Sequence, residues 1–206
     1  YASASPFSLT NNVITAQDSA DVTLWDAMLI SSQQGSVTSV IGDNTIIGAA
    51  ASQLTVGYQV WNCPATSGAV FTGGTITGCD YGIWINNYDG YVSSGDASTM
   101  TVNGVAISGA SLAGVYVKDN ALNSNGATVH AILNGGSVSN SAVGLLVDGA
   151  DASIAPGNIA LGNLSGDYIQ LVNGASQNAD ATSVLFDGVT GAGMSLATLF
   201  ATEDRI

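Results

Sequence analysis

Positive charge is almost missing from this chain. Among 206 residues only Lys118 and Arg205 carry it, against 15 Asp and Glu, of which Glu203 is the single Glu. The net charge of −13 repels phosphate backbones and anionic bilayers, which argues against nucleic acid and membrane surfaces as partners. Charged residues of both signs reach only 8%, against roughly 25% in an average soluble domain. No apolar run attains the roughly 18 residues that a membrane-crossing helix needs. One His and two Cys without a C-x-x-C cannot close a zinc site. Cys63 and Cys79 are either one disulfide, which an export-type composition suits, or two thiols in a packed wall; the sequence leaves both open. The chain starts at Tyr1 with neither Met nor a basic leader, and is expected to be a mature or excised segment.

What the chain has is glycine, 26 of 206 residues, together with many Ser, Thr, Asn, Ala and Val. This composition suits short strands joined by tight turns and suits helices poorly. With 46% hydrophobic residues it can bury a core.

Internal repetition carries the fold. Gly42, Gly73, Gly104, Gly135 and Gly166 recur every 31 residues, and two positions before them stand Val40, Phe71, Val102, Leu133 and Leu164, with Leu9 one step further back. Ile76, Ile107, Val138 and Ile169 form a second series, and Gly78, Gly109 and Asn140 a third. Gly82-Ile83-Trp84-Ile85-Asn86, Gly114-Val115-Tyr116-Val117-Lys118 and Gly144-Leu145-Leu146-Val147-Asp148 are one alternating motif in three copies. If its 83/85, 115/117 and 145/147 positions point inward, Trp84, Tyr116 and Leu146 form an outward stripe, either an exposed strip or a surface under a neighbouring loop. Propeller blades are longer than this unit, leucine-rich repeats shorter, and no 3.6-residue period is visible.

The expected fold is therefore all-β: a parallel β-helix, or solenoid, of about six coils of ~31 residues. Residues 1–36 read as an N-terminal coil or cap, 37–175 as regular coils, and 176–206 as a capping or linking segment. Val22-Thr23-Leu24-Trp25 is expected to pair with Leu54-Thr55-Val56-Gly57. In the tail, Val184-Leu185-Phe186 reads as a strand, and Ser195-Leu196-Ala197-Thr198-Leu199-Phe200 as a short capping helix.

Segments such as Thr75-Ile76-Thr77-Gly78-Cys79-Asp80-Tyr81-Gly82-Ile83-Trp84-Ile85 resemble the right-handed parallel β-helix repeats of large secreted bacterial proteins, whose fold is shared with pectate lyases. The resemblance covers roughly residues 37–175 and implies the right hand and an extracellular or cell-surface location. The tail from Phe186-Asp187-Gly188 to Ile206 is similar to the segment that follows such β-helices in very large exoproteins, so Ile206 is expected to be a cut.

Lyases of this fold use Ca²⁺ and a basic proton abstractor. Only Lys118 and Arg205 are basic, and Lys118 aligns with Asp148 as a stacked surface pair. The Asp-Asp, Gly-His-Gly and Arg-x-Lys motifs of the related glycoside hydrolases are missing. Asp148 and Asp151 are the nearest carboxylate pair for hydrolysis. His130 reads as a solvated outward His with no nucleophile beside it. Asp89, Asp96, Asp119 and Asp148 offer hard oxygen ligands for Ca²⁺, without a calcium-loop pattern. In the sequon Asn163-Leu164-Ser165, Leu164 belongs to the core series. Outward Thr77, Ser108 and Ser139 give only part of the hydroxyl ladder that ice binding would want.

No catalytic, cofactor or metal residue is assigned. The expectation is a non-enzymatic structural protein, as a surface-layer, fibre or stalk subunit or a rigid rod in a larger exoprotein. It associates with itself or with neighbouring parts of a longer chain. The alternatives are an adhesin or carbohydrate-binding module using the aromatic stripe, and then a polysaccharide lyase or hydrolase.

Overall fold

The computed structural model describes residues 7–16, 24–31, 39–48, 54–87, 95–120, 126–177, 185–186 and 189–190. They form a parallel β-solenoid whose strands fall into three sheets. The first sheet stacks Ser8–Thr10, Ser39–Gly42, Ala69–Thr72, Gly95–Asn103, Ala127–Asn134, Ala152–Gly157 and Ser176–Gln177. The second stacks Val13–Thr15, Thr45–Ile47, Thr75–Thr77, Ala106–Ser108, Ser137–Ser139, Ala160–Gly162 and Leu185–Phe186, and ends on the antiparallel strand Val189–Thr190. The third stacks Leu24–Ser31, Leu54–Trp61, Tyr81–Asn86, Ala113–Lys118, Val143–Asp148 and Ile169–Val172.

Complete coils number about four, fewer than the six expected. Those beginning at Ala69, Gly95, Ala127 and Ala152 have all three strands and the corners between them described. Two earlier strand sets pair in the same order. The first is a poor coil: its strands Ser8–Thr10 and Val13–Thr15 have three residues each, and Leu9 and Val13 are exposed.

Alternation of side chains creates the core, because successive residues of a strand face opposite sides of a sheet. In the first sheet the inward column is Leu9, Ile41, Phe71, Val102, Leu133 and Pro156. In the second it is Ile14, Ile46, Ile76, Ile107, Val138 and Leu161. In the third, Ile83, Val115, Leu145 and Ile169 form one column and Ile85, Val117, Val147 and Leu171 another. Tyr58 enters the core above Ile83 and stacks on Phe71 with ring centroids 4.6 Å apart. Each fully buried side chain of this kind contributes roughly 1.5–3 kcal/mol.

The register corrects the fixed period of 31. Val40 opposes Val70 and belongs to the outward column, and Ile41 takes the core place next to Phe71. Leu133 opposes Pro156, only 23 positions on, because the turn Gly149–Asp151 returns the chain to the first sheet in three residues. Leu164 is therefore a buried corner residue, and Ile169 lies in the third sheet opposite Leu145. Leu24 opposes Leu54, two places from the expected match.

The first corner needs a left-handed backbone in every coil. Asn11, Asp43, Gly73, Gly104, Gly135 and Asn158 follow the first-sheet strands, and all have φ between 50° and 75°. In five of them the amide also donates to the carbonyl of the next coil. Only Gly, Asn and Asp adopt this conformation readily, which explains the residue types. Gly42 is instead the last strand residue before Asp43, and Gly166 lies between the second and third sheets. A second left-handed corner is formed by Gly78, Gly109, Asn140 and Asn163.

Leu185–Phe186 is a strand, as expected, and it pairs with Val189–Thr190. The helix expected over 195–200 falls outside the described residues. Among the described residues the only helical turn is the 3₁₀ segment Ala65–Ser67, and no helix is long and apolar enough to cross a membrane.

Candidate functional site

The third sheet carries the largest side chains on its outer face. One outward column is Leu29, Gln59, Trp84, Tyr116, Leu146 and Gln170, and the next is Ser31, Trp61, Asn86, Lys118, Asp148 and Val172. Trp84, Tyr116 and Leu146 are thus stacked neighbours, as the motif predicts. They do not form an open strip: Tyr116 is only 7% exposed, and Trp84 and Leu146 are half-buried.

The shielding comes partly from Tyr81, which sequence reasoning did not single out. Its ring lies 5.0 Å from Tyr116 and 5.3 Å from Trp84, and Trp84 lies 5.3 Å from Tyr116. Such offset and tilted pairs suit the ring quadrupoles. Gly82 follows Tyr81 in the strand. A Cβ there would meet the Ile107 side chain at 2.5 Å and the Gly114 carbonyl at 2.6 Å, so the backbone packs too closely at that point for any side chain. The signal was the aromatic residue immediately before the Gly of the motif.

Polar groups border the rings. The Tyr116 hydroxyl donates to Asp148 at 3.0 Å, and Asn173 Nδ2 donates to the same carboxylate at 2.6 Å. Burial, then the Asp148 charge, raises the Tyr116 phenol above its ordinary range. Lys118 is the register partner of Asp148, but its Nζ sits 6.0 Å from the Tyr116 ring centroid, while the Asp148 carboxylate takes hydrogen bonds from Tyr116 and Asn173. Lower on this face, Gln59 is 1% exposed. With its amide turned so that nitrogen faces Asp26, it donates to that carboxylate at 2.7 and 3.0 Å and accepts from Trp61 Nε1 at 2.9 Å. Burial raises Asp26 to about 6.

The other singled-out residues are scattered. His130 does have a hydroxyl beside it: Nδ1 lies 2.7 Å from Ser153 Oγ in the next coil. A fixed period places Leu161 one coil beyond His130, so the short turn Gly149–Asp151 hid this pair. Burial lowers the His130 pKa, favouring the neutral imidazole. The Asp96 carboxylate accepts from Thr99 Oγ1 at 2.8 Å and from the Ala65 amide at 2.7 Å. Asp119 is buried in a corner and accepts from Asn87 Nδ2 at 3.1 Å. Asp151 lies in the turn after Asp148, where its carbonyl accepts from the Val129 amide. Asp89 falls outside the described residues. Thr77, Ser108 and Ser139 are stacked on the outer face of the second sheet, continued by Ile47 on one side and Gly162 on the other.

Cys63 and Cys79 are both buried free thiols. Cys63 donates to the Trp61 carbonyl at 3.3 Å. Burial, with the nearby Asp80 charge, pushes the Cys79 thiol up to about 12.

No family model matches the chain, and neither a curated protein nor a solved structure matches it.

Proposed function

We propose that the chain is a rigid structural element of an extracellular or cell-surface assembly, with no reaction assigned to it. The observation that carries this reading is the continuity of the inward columns, which stack in register from Ile41 to Pro156 and from Ile46 to Leu161. Each coil adds one strand spacing of ~4.8 Å to the axis and one layer to the core, so length and stiffness grow together. The extracellular location and the right hand rest on the resemblance to secreted β-helix repeats.

The N-terminal end is the docking point in this reading. Leu9 belongs to the inward column whose next members, Ile41 and Phe71, are fully buried, yet it is 42% exposed. Among the described residues the strands Ser8–Thr10, Val13–Thr15 and Leu24–Ser31 are the outermost of their sheets on this side, and an outermost strand offers N–H and C=O groups for further pairing. Another coil, from a second copy or from a neighbouring part of a longer chain, covers Leu9 and continues the sheets. Salt and Ca²⁺ screen the opposing −13 charge. Electron microscopy and small-angle scattering across salt and Ca²⁺ test this. Growth along the axis that Leu9→Asp abolishes is expected. A chain that stays monomeric at high concentration, in high salt and with Ca²⁺, removes the assembly reading.

A further inference from the structure

Three buried polar side-chain atoms among the described residues have no hydrogen-bond partner: Tyr58 Oη, Trp84 Nε1 and Asn86 Oδ1. Tyr58 is enclosed in the core. The other two belong to one strand, Tyr81–Asn86, and lie two residues apart, so both side chains leave the outer face of the third sheet. One is a donor and the other an acceptor. Asn86 is only 9% exposed. Buried polar groups are almost always paired, so two orphans of opposite character on one small face call for an explanation.

Their surroundings narrow it. The Tyr81, Trp84 and Tyr116 rings form an aromatic cluster with centroid separations of 5.0 to 5.3 Å. Lys118 is the register neighbour of Asn86, and Asp148 the next in that column. We propose that this face binds a neutral carbohydrate. A pyranose ring presents an apolar C–H face to the half-buried Tyr81 and Trp84 rings, with Tyr116 packed behind them. One of its hydroxyls accepts from Trp84 Nε1, and another donates to Asn86 Oδ1. A hydroxyl is both donor and acceptor, so one ligand type satisfies both orphans. An extended peptide is a poorer fit, because the face lies inside a sheet and offers no free strand edge for backbone pairing. Acidic glycans are disfavoured by the net charge of −13 and by Asp80 and Asp148 at the rim of the cluster. Both orphan atoms are shielded from solvent, so the proposal requires the cluster to open around the ligand, and a change in tryptophan emission on binding is the expected sign of it. The proposal is independent of the rod reading, since a rod without this site remains a rod.

The test is titration of the whole chain with cellohexaose, xylohexaose, maltohexaose and mannohexaose, followed by tryptophan emission and calorimetry, with oligogalacturonate as the acidic contrast. Saturable binding of at least one neutral hexaose is expected, with a dissociation constant near or below about 1 mM. Trp84→Phe keeps a ring and removes the donor; Asn86→Ala removes the acceptor. Each is expected to weaken binding by about tenfold. Asn86→Ala loses no existing hydrogen bond, whereas Trp84→Phe also loses part of its packing on Tyr81 and Tyr116, so thermal melts must show both variants folded at the titration temperature. Thr72→Ala, on the first sheet, leaves binding unchanged. The proposal is overturned by no saturable binding of any neutral hexaose. Affinity that both variants leave intact, or binding of oligogalacturonate alone, overturns it equally.

Discussion

Gly114 faces Val138 so closely that a Cβ on Gly114 would lie 2.3 Å from the Val138 Cγ1 methyl. The same relationship joins Gly82 to Ile107 and Gly57 to Ile76, at 2.5 and 2.6 Å. In each case a third-sheet strand presses its bare backbone on a core residue of the second sheet, at the second strand position for Gly82 and Gly114 and at the fourth for Gly57. Gly114→Ala is therefore expected to destabilise by about 1–3 kcal/mol, the usual cost of overpacking. Gly104, with φ of 68° and nothing within 4 Å of a Cβ, should accept Asn far better, since Asn11 and Asn158 already occupy that corner. Chemical denaturation of the two variants checks the ranking. An equal loss in both would contradict the close-approach argument.

Phe71 and Thr72 are adjacent, and their side chains face opposite sides of the first sheet. Phe71 is fully buried and stacked on Tyr58, whereas Thr72 is exposed. Phe71→Asp puts an unpaired charge in the core and is expected to cost more than about 4 kcal/mol, enough to unfold a marginal domain. Thr72→Asp should stay within about 0.5 kcal/mol. Thermal melts of both variants decide it, and similar melting temperatures would reverse the inward assignment.

The parallel solenoid was legible because each residue meets its own equivalent in the next coil, so Ile76, Ile107 and Val138, or Trp84, Tyr116 and Leu146, are repeats and contacts at once. The register was legible only where coil length is constant. Val40 was misplaced because one coil measures 30 residues from Ile41 to Phe71, and Leu164 because the last step is 23. A one-residue slip turns a side chain to the other face, so small changes in length mislead most. The unpaired Trp84 and Asn86 atoms depend on three-dimensional shielding, which no spacing encodes.

The thiols supply a test of the packed wall. Cys63 and Cys79 are buried and unbonded to each other, and the Cys79 thiol is pushed up to about 12. Thiolates are the reactive form, so the folded chain should react slowly with a disulfide reagent near pH 8. In denaturant without reductant both thiols should titrate promptly. Failure of the denatured chain to release any thiol would mean that the two are bridged.

Asp26 ties the first third-sheet strand to the second through Gln59 and Trp61, and gives the last prediction. Burial raises its carboxyl from 3.8 to about 6, and the Gln59 amide that donates to the carboxylate works in the opposite direction. The folded state therefore holds this proton more tightly than the unfolded chain does. The resulting stabilisation is complete below about pH 3.8 and is lost as pH rises through about 6. Asp26→Asn keeps a carbonyl oxygen for Gln59 and removes the charge. The variant should match the parent near pH 4 and melt at a higher temperature at pH 8, so that the difference in melting temperature opens between those values. Other carboxylates add their own pH dependence, but it is common to both chains and cancels in the difference. A difference that stays flat from pH 4 to pH 8 would show that Asp26 titrates alike in the folded and unfolded chain, with burial offset by the Gln59 hydrogen bonds.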